Sequence, residues 1–219
     1  MRLLEIEISR AIRFLQIEQI EPLSKSVANV ARDLEREYGF YEGPRKVEDF
    51  DYSKGIVYRH GEFEGRIIDR FVVYNNGVLA ETTADTSVAA AFIESVSAWV
   101  TRETGAIIRP GSIPGKPYFS ALTVECSPLV GSVMKALSTL PREIRDRLIS
   151  YDIPDLPVDF WGFIIAPDPA SGVEWSFRFE RRVGKPFSDN CFYSTAPLTT
   201  ADHLALLESL EDKFSMAVQ

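Results

Sequence analysis

Ser132 and Lys135 stand three residues apart in "SVMK", and "SDN" follows at Ser188, Asp189 and Asn190. Residues three apart on a helix share a face, so a hydroxyl on the first turn would meet an ammonium one turn later. A lysine in that position lowers the cost of deprotonating the serine and arms it as a nucleophile. The chemistry would be that of a hydrolase with Ser132 as nucleophile and Lys135 as its activating group.

S-x-x-K together with S-D-N resembles two signatures of the penicillin-recognising serine hydrolases, and that resemblance implies the same roles for Ser132 and Lys135. The third signature, K-T-G on a strand, is absent, and the chain of 219 residues is short for that fold. A small residue and a solvated charge on an amphipathic helix account for the pair more simply. The Ser-Lys hydrolase is therefore the alternative reading, and no catalytic residue is favoured.

Other routes to chemistry fare worse. "GSIPGKP" has Pro110 where a phosphate loop needs its first glycine and Pro117 where it needs Ser or Thr. No G-x-G-x-x-G follows a strand, so a dinucleotide has no visible seat, and no cofactor is expected. His60 and His203 are far apart; a turn is expected for the first and an exposed position after a helix cap for the second. Asp152, Asp155 and Asp159 are separated by prolines that favour extended backbone, which predicts a surface loop and no metal site. Cys126 and Cys191 form no C-x-x-C pair and read as two free thiols.

The totals bound the partners. With 24 Lys+Arg against 32 Asp+Glu, the net charge is −8, which repels polyphosphate and argues against nucleic acid. Glu5 and Glu7 interrupt the first apolar run, so a signal peptide is not expected. No run of about eighteen apolar residues offers a membrane span. A cytoplasmic protein without a membrane partner is the expectation.

The elements that must position any site fall in a repeated order. "LLEIEISRAIRFLQI" predicts a strand, and "EPLSKSVANVARDLEREYGF" a helix with Pro22 in its first turn and Gly39 at its end. Three strands follow in "GIVYRHGEF" and "RIIDRFVVYNNGVLAETT", with Asn75-Asn76-Gly77 suited to the positive φ of a tight hairpin. "ADTSVAAAFIESVSAWVTRETG" closes as a helix. After the Gly/Pro-rich "RPGSIPGKP", the order restarts: a strand in "YFSALTVEC", a helix in "SPLVGSVMKALSTL" extended by "PREIRDRLIS", three strands and a last helix in "TTADHLALLESLEDKF". The predicted organisation is a first half over 1–108, a joint over 109–117 and a second half over 118–219.

Two letter matches support the repeat. "PLSKSVANVARDL" and "PLVGSVMKALSTL" align at an offset of 106, and "TTAD" occurs at Thr82 and again at Thr199, an offset of 117. A Thr with an acid three positions later resembles a capping box, so both TTAD stretches are expected to cap helices. The fold class expected is α+β, with an internal duplication of a β-α-β-β-β-α unit forming a curved antiparallel sheet with helices on one face. That order resembles the TATA-binding-protein topology in its sequence of elements alone, and so implies an architecture and no activity.

The binding surface expected follows from this frame. In "VEWSFRFERRV", Val173, Trp175, Phe177 and Phe179 alternate with Glu174, Ser176, Arg178 and Glu180, giving an apolar face and a face carrying both charge signs. With helices on one side only, the charged face is left for a partner, and Arg178, Glu180, Arg182 and Lys185 are the candidate contacts. The function expected is a non-enzymatic protein-binding or assembly module that self-associates; a carrier of a small apolar ligand is a further alternative.

Overall fold

The computed structural model describes residues 1–18, 25–111, 115–126, 139–151, 154–171 and 175–216. Within them the chain is α+β, with four α-helices and nine strands. It divides into two compact units: a first made of residues 6–120 with 197–201, and a second made of 1–5, 121–196 and 202–219.

In the first unit, β1 (Arg2–Glu18), β2 (Ile56–Phe63), β3 (Arg66–Tyr74) and β4 (Gly77–Thr82) pair in the order β2-β3-β4-β1. The short β5 (Ile107–Pro110) pairs with the end of β1 and overlaps the first two residues of the stretch read from sequence as a joint. All of these pairings are antiparallel. Because side chains alternate across a strand, Ala11, Ala80, Phe71 and Tyr58 fall in register on one face. Helices α1 (Val27–Glu37) and α2 (Thr86–Thr104) cover that face, contributing Ala31, Leu34, Ala89, Phe92, Ile93, Val96 and Trp99 to the core. Phe92 is its centre, with edge-on contacts to Tyr38, Phe40, Phe63 and Phe71. The opposite face carries Arg59, Arg70, Glu81 and Arg10 as cross-strand neighbours.

Helix ends follow local chemistry, with some differences from expectation. Helix α1 starts at Val27, capped by Ser26 accepting from the Asn29 amide; Pro22 lies outside the described residues. Helix α2 is capped by Asp85 accepting from the Ser87 amide at 2.7 Å, and Gly105 ends it in the left-handed region at φ 74°. Thr82 is thus not the cap: it closes β4, donating to the Ile67 carbonyl and accepting from the Ala84 amide. The β3–β4 turn also differs, since neither Asn75 nor Asn76 has positive φ. Gly77 is required instead by close approach, because a Cβ there would lie 2.3 Å from the Arg13 carbonyl oxygen on β1.

In the second unit, β6 (Tyr118–Glu125), β7 (Gly162–Ile165), β8 (Phe177–Arg181) and β9 (Cys191–Ala196) run in the order β6-β9-β8-β7. The β7–β8 and β8–β9 pairings are antiparallel. Helices α3 (Leu140–Ser150) and α4 (Thr200–Met216) complete it. Residues 127–138, which carry the expected "SPLVGSVMKALSTL" helix, lie outside the described residues, as does Val173. β8 is shorter than its sequence pattern: Trp175 precedes it and is 47% exposed, so the apolar face begins at Phe177.

The strand-helix pair β4–α2 recurs as β9–α4 at an offset of 114 residues, from Gly77 to Cys191, Thr82 to Ala196 and Thr86 to Thr200. The two helix-starting threonines bond reciprocally: the Thr86 amide donates to Thr200 Oγ1 at 3.1 Å, and the Thr200 amide donates to Thr86 Oγ1 at 2.9 Å. The TTAD offset of 117 is therefore not the structural one. Asp85 precedes its helix, whereas Asp202 lies in the first turn of α4.

Candidate interaction surface

β8 builds the surface because its register separates two faces. Phe177, Phe179 and Arg181 are buried on one face, while Arg178 is exposed and Glu180 half-buried on the other. Arg182 continues the alternation, its amide donating to the Cys191 carbonyl at 3.0 Å, and its guanidinium lies 5.5 Å from the Tyr193 ring centre. Tyr193 pairs with Glu180 and Thr195 with Arg178, so these share the face. Lys185 is exposed in the turn that follows, where its amide donates to the Arg182 carbonyl. Three of the four expected contacts, Arg178, Glu180 and Arg182, thus stand on one strand face, with Lys185 at its end.

One of the strands expected in the second half, in "DFWGFIIAP", is β7, and it extends that face to the edge. Ile164 pairs with Arg178 and Gly162 with Glu180. Ile164 and Ile165 point to opposite faces of the strand, yet they are 58% and 56% exposed. Trp161, immediately before the strand, is 50% exposed. Among the described residues β7 has no strand partner other than β8. The apolar run "WGFII" identifies a strand, but nothing local in it says that the strand lies at an edge. In the same unit, α3 has no buried residue, and Leu140 and Ile144 are exposed one turn apart on it.

The buried face of β8, apolar at Phe177 and Phe179, ends in a charge at Arg181. Arg181 donates to the Phe187 carbonyl and to Asn190 Oδ1 at 3.1 Å, lies 3.5 Å from an Asp159 carboxylate oxygen, and stacks its guanidinium 4.5 Å from the Phe192 ring centre. Asn190 in turn donates from Nδ2 to the Cys126 carbonyl at 2.7 Å. The S-D-N stretch is therefore a structural clasp: Phe187–Asp189 form a short 3-10 turn, Asn190 takes left-handed backbone, and its side-chain amide bonds within the protein at both ends. Ser132 and Lys135 lie outside the described residues.

His203 corrects the expectation of exposure. It is 0% exposed on α4, its ring edge-on to Phe177, and its Nε2 is 2.9 Å from Ser194 Oγ. Ser194 donates its one hydroxyl proton to the Arg178 carbonyl at 2.8 Å, so hydrogen-bond counting makes the imidazole the donor to the serine oxygen. A catalytic pair needs the reverse polarity and access to substrate. Burial lowers the His203 pKa to about 4, holding the ring neutral at pH 7.

The remaining candidates have structural surroundings. His60 lies within β2 at φ 53°, not in a turn. Asp155 is bonded by Arg145, Asp159 faces Arg181, and Asp152 is outside the described residues. Both cysteines are free and buried, and burial pushes the Cys126 thiol up to about 12 and raises that of Cys191. Such thiols are poor nucleophiles. Among the described residues no acidic, His or Cys cluster could hold a metal, and no helix is long and apolar enough to cross a membrane.

Compared with known proteins, the chain matches no family model and no curated sequence.

Proposed function

We propose that this chain is a non-enzymatic assembly module that associates with a second copy of itself through the β7 edge and the adjoining β8 face. The observation that carries the reading is Ile164 and Ile165, half-exposed on a strand whose outer edge is unpaired among the described residues. An apolar, open edge is a template for another strand, and monomeric proteins ordinarily blunt it. Fully burying an isoleucine side chain is worth about 1.5–3 kcal/mol, so two per protomer supply a useful driving force.

A second copy suits this surface better than an unlike partner of single charge. Antiparallel pairing of two identical edges has two-fold symmetry, which requires a self-complementary patch. Arg178, Glu180, Arg182 and Lys185 offer both signs on or beside one face, so the same patch can supply acceptor and donor. Mixed charge also disfavours nucleic acid, which would meet Glu180 and a net charge of −8.

Sedimentation velocity over a concentration series tests the proposal. Wild-type protein is expected to shift from monomer to dimer, and Ile164→Lys with Ile165→Lys, an edge-blocking pair, is expected to remain monomeric with unchanged circular dichroism. A wild-type monomer at every concentration, or a doubly substituted protein that still dimerises, would refute it.

A further inference from the structure

We infer that the first unit binds an organic anion with an apolar tail, its charged head in a cleft beside Arg13 and its tail in an adjoining cavity of the core. The cleft, about 940 Å³, is bounded by β1, α2 and β5 and has Arg13, Arg102, Arg109 and Lys116 on its walls against one carboxylate, Glu94. Such a cluster is notable in a chain whose net charge is −8. Local fields of this kind concentrate ions of opposite sign whatever the overall charge.

Arg102 is balanced, since Glu103 lies 3.2 Å and Glu37 3.9 Å from its guanidinium nitrogens. Arg13 is not comparably neutralised. Its side chain is 7% exposed, its Nη1 donates to the Ile12 carbonyl at 2.8 Å and its Nη2 to the Tyr118 hydroxyl at 2.9 Å, and the guanidinium lies over the Tyr118 ring. Those neutral partners fix its position without cancelling its charge. Glu94, the one carboxylate within ion-pair distance among the described residues, is 3.7 Å away and itself 65% exposed, and Arg13 Nε has no hydrogen-bond acceptor. Buried charges are ordinarily paired closely, so Arg13 leaves the cleft wall with positive potential that an anion would complete. Lys116 adds an exposed, adjustable cation at the mouth.

The second half of the inference comes from what lies behind the cleft. A cavity of about 130 Å³ sits in the core, lined by side chains that include Leu34, Phe71, Val96 and Val100. Leu15, Ile93, Ser97 and Ile108 line both spaces, so one wall is common to them. The Ser97 hydroxyl is turned to its own helix, donating to the Ile93 carbonyl at 2.8 Å, which leaves the common wall effectively apolar. Apolar cavities near 150 Å³ accept a benzene-sized group. A cation-rimmed cleft sharing a greasy wall with such a cavity fits an alkyl or aryl carboxylate and fits neither a purely polar anion nor a neutral hydrocarbon as well. This site is independent of the β7 edge, so its failure and that of the assembly reading are separate results.

Isothermal titration calorimetry of the full chain with octanoate, below micelle formation, is the test, with 1-octanol and acetate as comparators and 4-phenylbutanoate to distinguish an aryl from an alkyl tail. Saturable octanoate or phenylbutanoate binding is expected, with octanol about tenfold weaker, the scale of one charge-assisted hydrogen bond, and acetate without measurable heat. Lys116→Glu should weaken octanoate about three- to fivefold and leave octanol unchanged. Val100→Phe should weaken both by filling the cavity; should that variant not fold, Ala31→Val narrows the same space more gently. No saturable binding of either carboxylate, octanol binding as tightly as octanoate, or octanoate affinity unmoved by Lys116→Glu would each overturn the inference.

Discussion

The two units carry the same strand-helix pair with different contents, and the difference separates a packed scaffold from an exposed surface. At the 114-residue offset, Ala80 and Ala89 of the first unit correspond to Ser194 and His203 of the second, and all four are 0% exposed. Two alanines let α2 lie close to its strands and leave room for Phe92 and Phe71 to form an aromatic core. The serine and histidine put a hydrogen-bonded polar pair at the matching level, beside a β8 whose buried face ends in Arg181. The edges differ as well. Edge strand β2 is covered by residues 38–42, with the Arg59 amide donating to the Glu42 carbonyl and the Glu62 amide to the Tyr38 carbonyl. Edge strand β7 presents two isoleucines and has no such cover among the described residues. One unit covers its edge with its own backbone; the other leaves an apolar edge that a partner could pair.

Breaking the first unit should produce the largest effect. Phe92→Ala removes the ring on which four other aromatic rings converge, and chemical denaturation is expected to record a loss of about 3–5 kcal/mol. A loss below about 1 kcal/mol would mean that this core is loosely packed.

Acid should sharpen the comparison next. The His203 pKa is depressed to about 4, against about 6.5 for an unperturbed imidazole, so the unfolded chain takes up a proton that the folded chain refuses. Above pH 6.5 both states are neutral and the group has no effect on stability. From about pH 6.5 down to about pH 4, stability falls by about 1.4 kcal/mol per pH unit, reaching about 3 kcal/mol in total. Denaturation midpoints across that range should follow the slope in wild type, and His203→Ala, which installs the residue found at position 89, should flatten it even if its plateau is lower. An unchanged slope would assign the acid sensitivity elsewhere.

Smaller effects belong to the edge itself. A Cβ at Gly162 would stand 2.1 Å from the Phe179 carbonyl oxygen, so Gly162→Ala must push β7 off β8. Overpacking of this kind costs about 1–3 kcal/mol, and the same substitution should reduce dimerisation measured by light scattering. Smallest of all, Arg178→Glu should leave unfolding free energy within about 0.5 kcal/mol, as surface changes do, while weakening association by placing a second acid beside Glu180 and leaving Arg182 and Lys185 as the patch's cations.

The fold was more legible in the sequence than the surface. The branched and aromatic runs "RFVVY" and "CFY" and the helical spacing of Val88, Phe92, Val96 and Trp99 identify elements because residue preference and side-chain period are local properties. The charged face of β8 was legible for the same reason, and Arg178, Glu180 and Arg182 stand together on it. What escaped depends on tertiary surroundings. The sequence pattern at His203 is that of an exposed residue in the first turn of a helix, and only its packing against Phe177 and Ser194 buries it. Arg181 reads as one charge among several in "FRFERRV", although register turns it inward to Phe192 and Asn190. "GFII" gives the composition of an interior strand, and nothing local says that its place is at an edge. The first TTAD caps its helix through Asp85 and not Thr82, because the identical letters take helix positions three residues apart in the two copies.

The most direct measurement is amide hydrogen exchange, read by mass spectrometry at low and high protein concentration, over the peptide containing residues 161–166. Pairing of β7 with a second copy predicts concentration-dependent slowing there, absent in the Ile164→Lys, Ile165→Lys protein, while β2 amides exchange identically at both concentrations. Exchange at β7 that is fast and independent of concentration would contradict assembly through this edge.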